Sequence, residues 1–334
     1  MKEDKFLYNW NILGHANIIK YLQKIVSTRN FLNTYLFSGA EDVGKKTVAR
    51  YFVSSIFCKS EENIPCNKCN DCLEIKNFTH PDLISVSLEE GKKNISIEQI
   101  RDFREKFSLT PLRSEFKIGI INDADRLNPE SSNALLKIIE EPPRNSFIIL
   151  IACDADRILP TIKSRSQNII FGGVKQKEIY DYLIDGGADK NLAQELSKFS
   201  GGAPGVAMAY LKNPKEWEKR KKDLGEIIEI MQSSINEKFK WIENIVDKSR
   251  TQDSYSALSK TLIDFMRIAR DLCVFKTDKH TELIHPFLEE DIKVISEKYK
   301  IEKLLEFYDF ANKSRNIIFE NVNPRLIFEN LLLI

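Results

Sequence analysis

The sequence lacks an excess of charge of either sign, a membrane-length apolar run and a disulfide framework. Its 50 lysines and arginines face 49 aspartates and glutamates, a formal net charge of +1 over 334 residues. So even a balance leaves no global basic field, and any grip on nucleic acid has to come from a local patch. No apolar stretch is long enough to cross a bilayer, and the start, MKEDKFLYNWN, has no apolar signal-peptide segment, so a cytoplasmic protein is expected. Six cysteines do not make a disulfide scaffold in a chain of this size. Low-complexity segments and internal repeats are missing too. The length exceeds one typical domain and points to two or three.

What is present is densest in residues 117–167, KIGIINDADRLNPESSNALLKIIEEPPRNSFIILIACDADRILPTIKSRSQ. Residues 117–121 and 147–152 are continuous apolar runs, the pattern of strands buried on both faces. A helix between them is punctuated at both ends. Asn128 can cap it, Pro129 suits its first turn, and Pro142 and Pro143 end it. Ala134, Leu135, Ile138 and Ile139 share one face, which packs back onto a sheet. Strand, acidic turn, helix and strand form the core of a parallel α/β domain. The segment ends by presenting Arg165 between Ser164 and Ser166.

Upstream, a strand at 35–38 runs into Gly39-Ala40-Glu41-Asp42-Val43-Gly44-Lys45-Lys46-Thr47. A P-loop requires two glycines around a tight turn, a lysine for the phosphates and a hydroxyl for magnesium. Gly39, Gly44 and Lys45 meet the pattern, Lys46 stands where the hydroxyl belongs, and Thr47 is one step late. A protonated lysine cannot coordinate a cation, and adjacent helix positions point about 100° apart. Such a loop suits phosphate better than Mg-ATP. After a helix at 48–57 come Cys58, Cys66, Cys69 and Cys72, spaced Cys-x7-Cys-x2-Cys-x2-Cys. Four thiolates in a short polar loop predict a closed tetrahedral zinc site of structural kind. An iron–sulfur cluster is disfavoured because the outlying cysteine precedes the triplet. Cys153 and Cys273 read as inert thiols in a buried strand and a helix, and His80, before Pro81, as a turn residue. A helix at 95–107 carries Arg101 and Arg104 away from its apolar side, and a solvated basic face explains them as well as a binding role does.

The runs NALLKIIEEPP and LPTIKSRSQ resemble the clamp-loader branch of the AAA+ ATPases, and more narrowly the bacterial DNA polymerase III delta prime family. The resemblance implies that Arg165 is an arginine finger reaching a neighbouring subunit's ATP. The family's Ser-Arg-Cys motif is Ser164-Arg165-Ser166 here, the arginine kept and the cysteine replaced. Fingers of this kind are worth on the order of 10³–10⁵ in rate in GTPases. A surface arginine after a helix is the bland alternative. Active relatives pair a metal-side aspartate with a glutamate after the strand, whereas this chain has Asn122-Asp123. An amide is a weaker magnesium partner than a carboxylate. Gly205 stands where active members carry an arginine that senses the γ-phosphate. The likeness also implies zinc on the four cysteines, and DNA-backbone tracking by Arg101 and Arg104.

The resulting expectation is three domains. Residues 1–172 form a RecA-like AAA+ domain, a parallel sheet with helices on both faces and the cysteine loop at 58–72. Residues 173–213 form a three-helix lid, and residues 214–334 an all-α collar for oligomerisation. By resemblance the chain is a non-hydrolysing clamp-loader subunit that joins motor (gamma/tau) and delta subunits, the sliding clamp and primed DNA. The alternatives are an active motor ATPase, a zinc-dependent DNA-binding module and an AAA+ regulator of unrelated function.

Overall fold

The computed structural model describes residues 8–60, 62–247, 253–277, 282–318 and 322–334. The sequence also reads as an entry loop and helix over 6–31 and as a helix over 301–319; residues 6, 7 and 319 of these lie outside the described residues. The chain divides into two compact units, residues 1–179 with 202–205, and residues 180–201 with 206–334.

In the first unit the elements follow in the order α1 (Ala16–Thr28), β1 (Thr34–Ser38), α2 (Lys45–Phe57), α3 (Asn70–Lys76), β2 (Leu83–Val86), α4 (Ile97–Ser108), β3 (Lys117–Ile121), α5 (Pro129–Glu140), β4 (Ser146–Ala152), α6 (Pro160–Lys163) and β5 (Gln167–Ile170). The five strands make one sheet in the order β2-β3-β4-β1-β5. Every pairing is parallel, with Leu36 opposite Leu150 and Ile120 opposite Ile149. Every residue of β1, β3 and β4 is buried, because helices cover both faces. Alternate residues enter different cores. Tyr35, Phe37, Phe147 and Ile149 meet α1 and α2, while Leu36, Ile148 and Leu150 meet α4 and α5.

Local chemistry sets the ends. Asn128 accepts from the Ser131 amide at 2.7 Å with Pro129 in the first turn, the boundary expected for α5. Ser96 and Gln99 cap α4 reciprocally. Two expectations need correction. The sequence pattern does not announce α3, because seven residues hold too little apolar period to register. Cys153 is not within the strand but one residue past β4, facing the loop after β1.

The second unit is helical. After α7 (Gln176–Asp185), whose first residues belong to the first unit, come α8 (Lys190–Phe199), α9 (Pro204–Lys212), α10 (Pro214–Gln232), α11 (Ile235–Asp247), α12 (Asp253–Lys276), α13 (Glu289–Lys298), α14 (Ile301–Ile317) and α15 (Pro324–Leu333). Trp217 of α10 is buried against Phe199 at the end of α8, ring centroids 5.0 Å apart. The carboxylate of Asp271 accepts from the Ile284 amide, the His285 amide and His285 Nδ1. Burial pushes Asp271 up, but these bonds outweigh it and hold the group below the usual carboxylate range. Among the described residues, no helix is long and apolar enough to cross a membrane.

Candidate functional site

β1 lies inside the sheet and delivers the Gly39–Lys45 turn to its carboxyl edge, beside the ends of β3 and β4. This is where parallel α/β sheets hold ligands. Gly39 has φ +146°, and a Cβ there would sit 2.2 Å from the Phe171 carbonyl oxygen, so only glycine fits. Gly44 has φ +109° at the cap of α2. These are the two glycines the motif demanded.

The lysines are already engaged. Lys45 is buried, and its ammonium donates to the Gly39 and Ala40 carbonyls at 2.5 Å each, with Cys153 Sγ 3.9 Å away. Lys46 Nζ lies 3.6 Å from Asp123 Oδ1. The first residue occupies its motif position but turns its charge onto its own loop. The second places a cation against the carboxylate after β3. Asn122 donates its amide to Ser87 Oγ at 2.9 Å, and Asp125 accepts from the Cys153 amide at 3.1 Å. Thr47 is half-buried one position further round α2. The Gly205 amide donates to the Asp42 carbonyl at 3.0 Å, and a Cβ on Gly205 would meet Asp42 at 3.0 Å. His15 Nε2 lies 2.7 Å from the Val43 carbonyl, tying α1 to the loop. Lys46 in the hydroxyl position and an Asn122 amide turned to a serine are poorer magnesium partners than a hydroxyl and a carboxylate. Cys153 is the member of this cluster that sequence reasoning missed. Its position directly after β4 was the available signal. Burial pushes its thiol up to about 11, with Lys45 opposing the shift.

Cys58, Cys66, Cys69 and Cys72 come together, their Sγ atoms all within 4.8 Å of one another. Tetrahedral Zn–S bonds of about 2.3 Å set sulfur–sulfur edges of about 3.8 Å, so the cluster fits zinc with little closure. Backbone amides already face the sulfurs: Cys66 N to Cys58 Sγ and Cys69 N to Cys66 Sγ at 3.3 Å, Cys72 N to Cys69 Sγ at 3.5 Å. Such donors favour thiolates. Cys69 also caps α3, and Cys72 sits in its first turn. All four could hold such an ion, which would leave no position for water.

A second cluster, Asp71, Glu74 and His80, adjoins the cysteines. His80 is buried, its Nδ1 accepts the Asp82 amide at 3.1 Å, and its Nε2 meets Asp71 at 3.3 Å. Lys59 and Arg113 neutralise Asp71, and Arg113 also grips Glu74. Burial pushes Asp71 up, but Lys59 and His80 bring it below the usual range. This cluster carries its own cations and braces α3. His80 opens the turn into β2, its carbonyl accepting from the Leu83 amide at 3.0 Å, yet it also holds that helix, which only the fold reveals.

Arg165 follows α6. Its Nη2 lies 3.0 Å from Glu140 Oε1, at the end of α5, and its Nη1 donates to the Thr161 carbonyl at 3.2 Å. Ser164 and Ser166 do not touch the guanidinium. They bond back to the Thr161 and Ile162 carbonyls. Arg101 and Arg104 are exposed on α4, opposite buried Ile100, Phe103 and Phe107. Their helix keeps them apart from the Lys45 and cysteine clusters.

A parallel sheet of this order, with a glycine-lysine turn after β1 and acidic residues after β3, is an AAA+ type α/β domain. Residues 14–175 match the family described as DNA polymerase III, delta subunit. The delta prime subunit of Bacillus subtilis is 26% identical over 316 residues, covering 95% of this chain and 94% of that protein. The tau subunit of the same organism is 27% identical over 344 residues, and the match takes in 96% of this chain but only 60% of tau. A DNA polymerase III gamma subunit-related protein from Thermotoga maritima aligns over 94% of this chain and 97% of its own at 18% identity. Its TM-score of 0.42 is too low to add to the assignment. Over nearly its whole length the chain is similar to clamp-loader subunits of DNA polymerase III.

Proposed function

We propose that this chain is the delta prime type of clamp-loader subunit, one that does not hydrolyse ATP itself. The observation that carries the reading is Lys46, which stands where the magnesium-binding hydroxyl belongs and faces Asp123. Its Nζ lies 3.6 Å from Asp123 Oδ1, so an ammonium occupies the side of the loop where an active site would hold magnesium. Asn122 and Gly205 remove a metal-side carboxylate and a phosphate-sensing arginine. The departures are spread over three separate segments of the chain, which favours a silent site over one altered residue.

In this reading Arg165 acts in trans, stabilising charge on the phosphoryl group transferred in a neighbouring motor subunit. Zinc on Cys58, Cys66, Cys69 and Cys72 stiffens the insertion between α2 and β2. Residues 173–213 serve as a lid, and residues 214–334 as a collar that joins motor and delta subunits. Arg101 and Arg104 add sequence-independent contacts to the DNA backbone when the assembled ring meets primed DNA. The ring opens the sliding clamp on binding ATP and releases it on DNA after hydrolysis.

One observation favours a motor ATPase instead: tau matches this chain at the same level of identity as delta prime. The decisive assay measures ATP turnover by the chain alone and by the chain mixed with its motor and delta subunits, with clamp and primed DNA present. Silence alone and turnover only in the mixture support the delta prime reading. Turnover by the isolated chain that Lys45→Ala abolishes makes it a motor.

A further inference from the structure

We infer that Glu140 is the positioning residue for Arg165, holding its guanidinium ready for a neighbouring phosphate. The inference rests on the finger reading above and deepens it.

The first observation is where the carboxylate sits. Glu140 is the last residue of α5, followed by Glu141 and then by Pro142 and Pro143. A helix C-terminus is the negative end of its dipole, and cations belong there. Two consecutive glutamates at that end work against the helix they finish. Local structure therefore gives no reason for Glu140, and its reason has to lie in what it touches.

What it touches is Arg165, at 3.0 Å. The side chains of the pair are 45% and 43% exposed, so the ion pair adds little to stability. Its effect is on direction. A guanidinium presents five N–H donors in a rigid planar fork. Glu140 takes a donor on Nη2, and the Thr161 carbonyl takes one on Nη1. Two anchors, one from α5 and one from α6, fix the plane of the fork while donors stay uncommitted. A free arginine would search many rotamers before meeting a phosphate, whereas a held one has already given up that freedom. The carboxylate touches neither nucleotide nor the reacting atoms, so its role is exerted through Arg165.

The test uses the reconstituted assembly of this chain with its motor and delta subunits, clamp and primed DNA. Its variants are Glu140→Gln, Arg165→Ala and the double substitution. Size-exclusion elution checks that each assembly is intact. Gln keeps the size of the side chain and removes the charge. We expect Glu140→Gln to lower kcat for ATP about three- to tenfold with KM for ATP nearly unchanged. On the Arg165→Ala background it should cost nothing further, which a merely structural role would not produce. Full or raised activity of Glu140→Gln overturns the inference, as does an equal loss from Glu140→Gln with and without Arg165. Failure of the finger reading itself is seen separately, as full activity of Arg165→Ala.

Discussion

Asp82 shows how much one residue can organise here. It is fully buried, and its two oxygens accept from the amides of Leu112, Arg113 and Ser114 at 2.7, 2.9 and 2.8 Å. Burial pushes its carboxyl up, but the three amides outweigh that and hold it below the usual range. A depressed folded value means the stabilisation is complete above the ordinary carboxylate pKa of about 4. It disappears as pH falls through the lower folded value. Asp82→Asn places an amide donor against backbone donors and should cost about 2–3 kcal/mol at neutral pH. Hydrogen exchange at residues 112–114 should quicken accordingly, and the wild-type loss of protection on acidification should flatten in the variant. Gly119 offers a second test, of packing. A Cβ there would lie 2.5 Å from Phe103 Cζ. Gly119→Ala overpacks the space between β3 and α4 and should lower stability by about 1–3 kcal/mol, read from urea midpoints. From the sequence, residues such as Gly39, Gly44 and the four cysteines were legible because their chemistry is tied to spacing. Cys153 and His80 were not, since their partners, Lys45 and Asp71, meet them only through the fold.

At the scale of elements, legibility followed punctuation. α5 was readable from Asn128, Pro129 and Pro142, because capping and chain breaking are local. α3 was hidden because its cap is a cysteine, and the residues that start the helix are the same ones that serve the metal. That overlap gives a prediction. Purified chain should carry one zinc ion, measured by elemental analysis. Chelation should release hydrogen-exchange protection through residues 58–80, since α3 loses the thiolates that define its first turn. The amides of β3 and β4 should keep theirs, because both strands are paired inside the sheet. Cys69→Ser, which keeps a cap but replaces a metal ligand, should reproduce the effect of chelation. Exchange spreading instead across β3 would show that the loop supports the sheet itself.

For the whole molecule, the class of fold was legible because buried strands alternate with amphipathic helices. The strand order was not, because a parallel sheet is assembled from crossovers whose neighbours lie far apart in sequence. β1 pairs with β4 and β5, which are more than a hundred residues downstream. The near-zero net charge likewise confines any grip on DNA to local groups. If Arg101 and Arg104 track the backbone, replacing both with alanine in the assembled complex should weaken DNA binding equally for unrelated sequences. The slope of log K against log salt should shrink by about 0.9 for each phosphate that is no longer neutralised. An unchanged slope would leave them as solvated surface.

The bond from the Gly205 amide to the Asp42 carbonyl makes the two segments interdependent. It joins two backbones, so it survives any exchange of side chains at either end. An arginine at 205 would bring its Cβ to 3.0 Å from Asp42, so the loop there would have to give by a few tenths of an ångström. A hydroxyl at 46 would in turn leave Asp123 without the ammonium 3.6 Å away. Either substitution thus reaches beyond its own position, since each touches a loop residue, Asp42 or Asp123, that has to adjust with it.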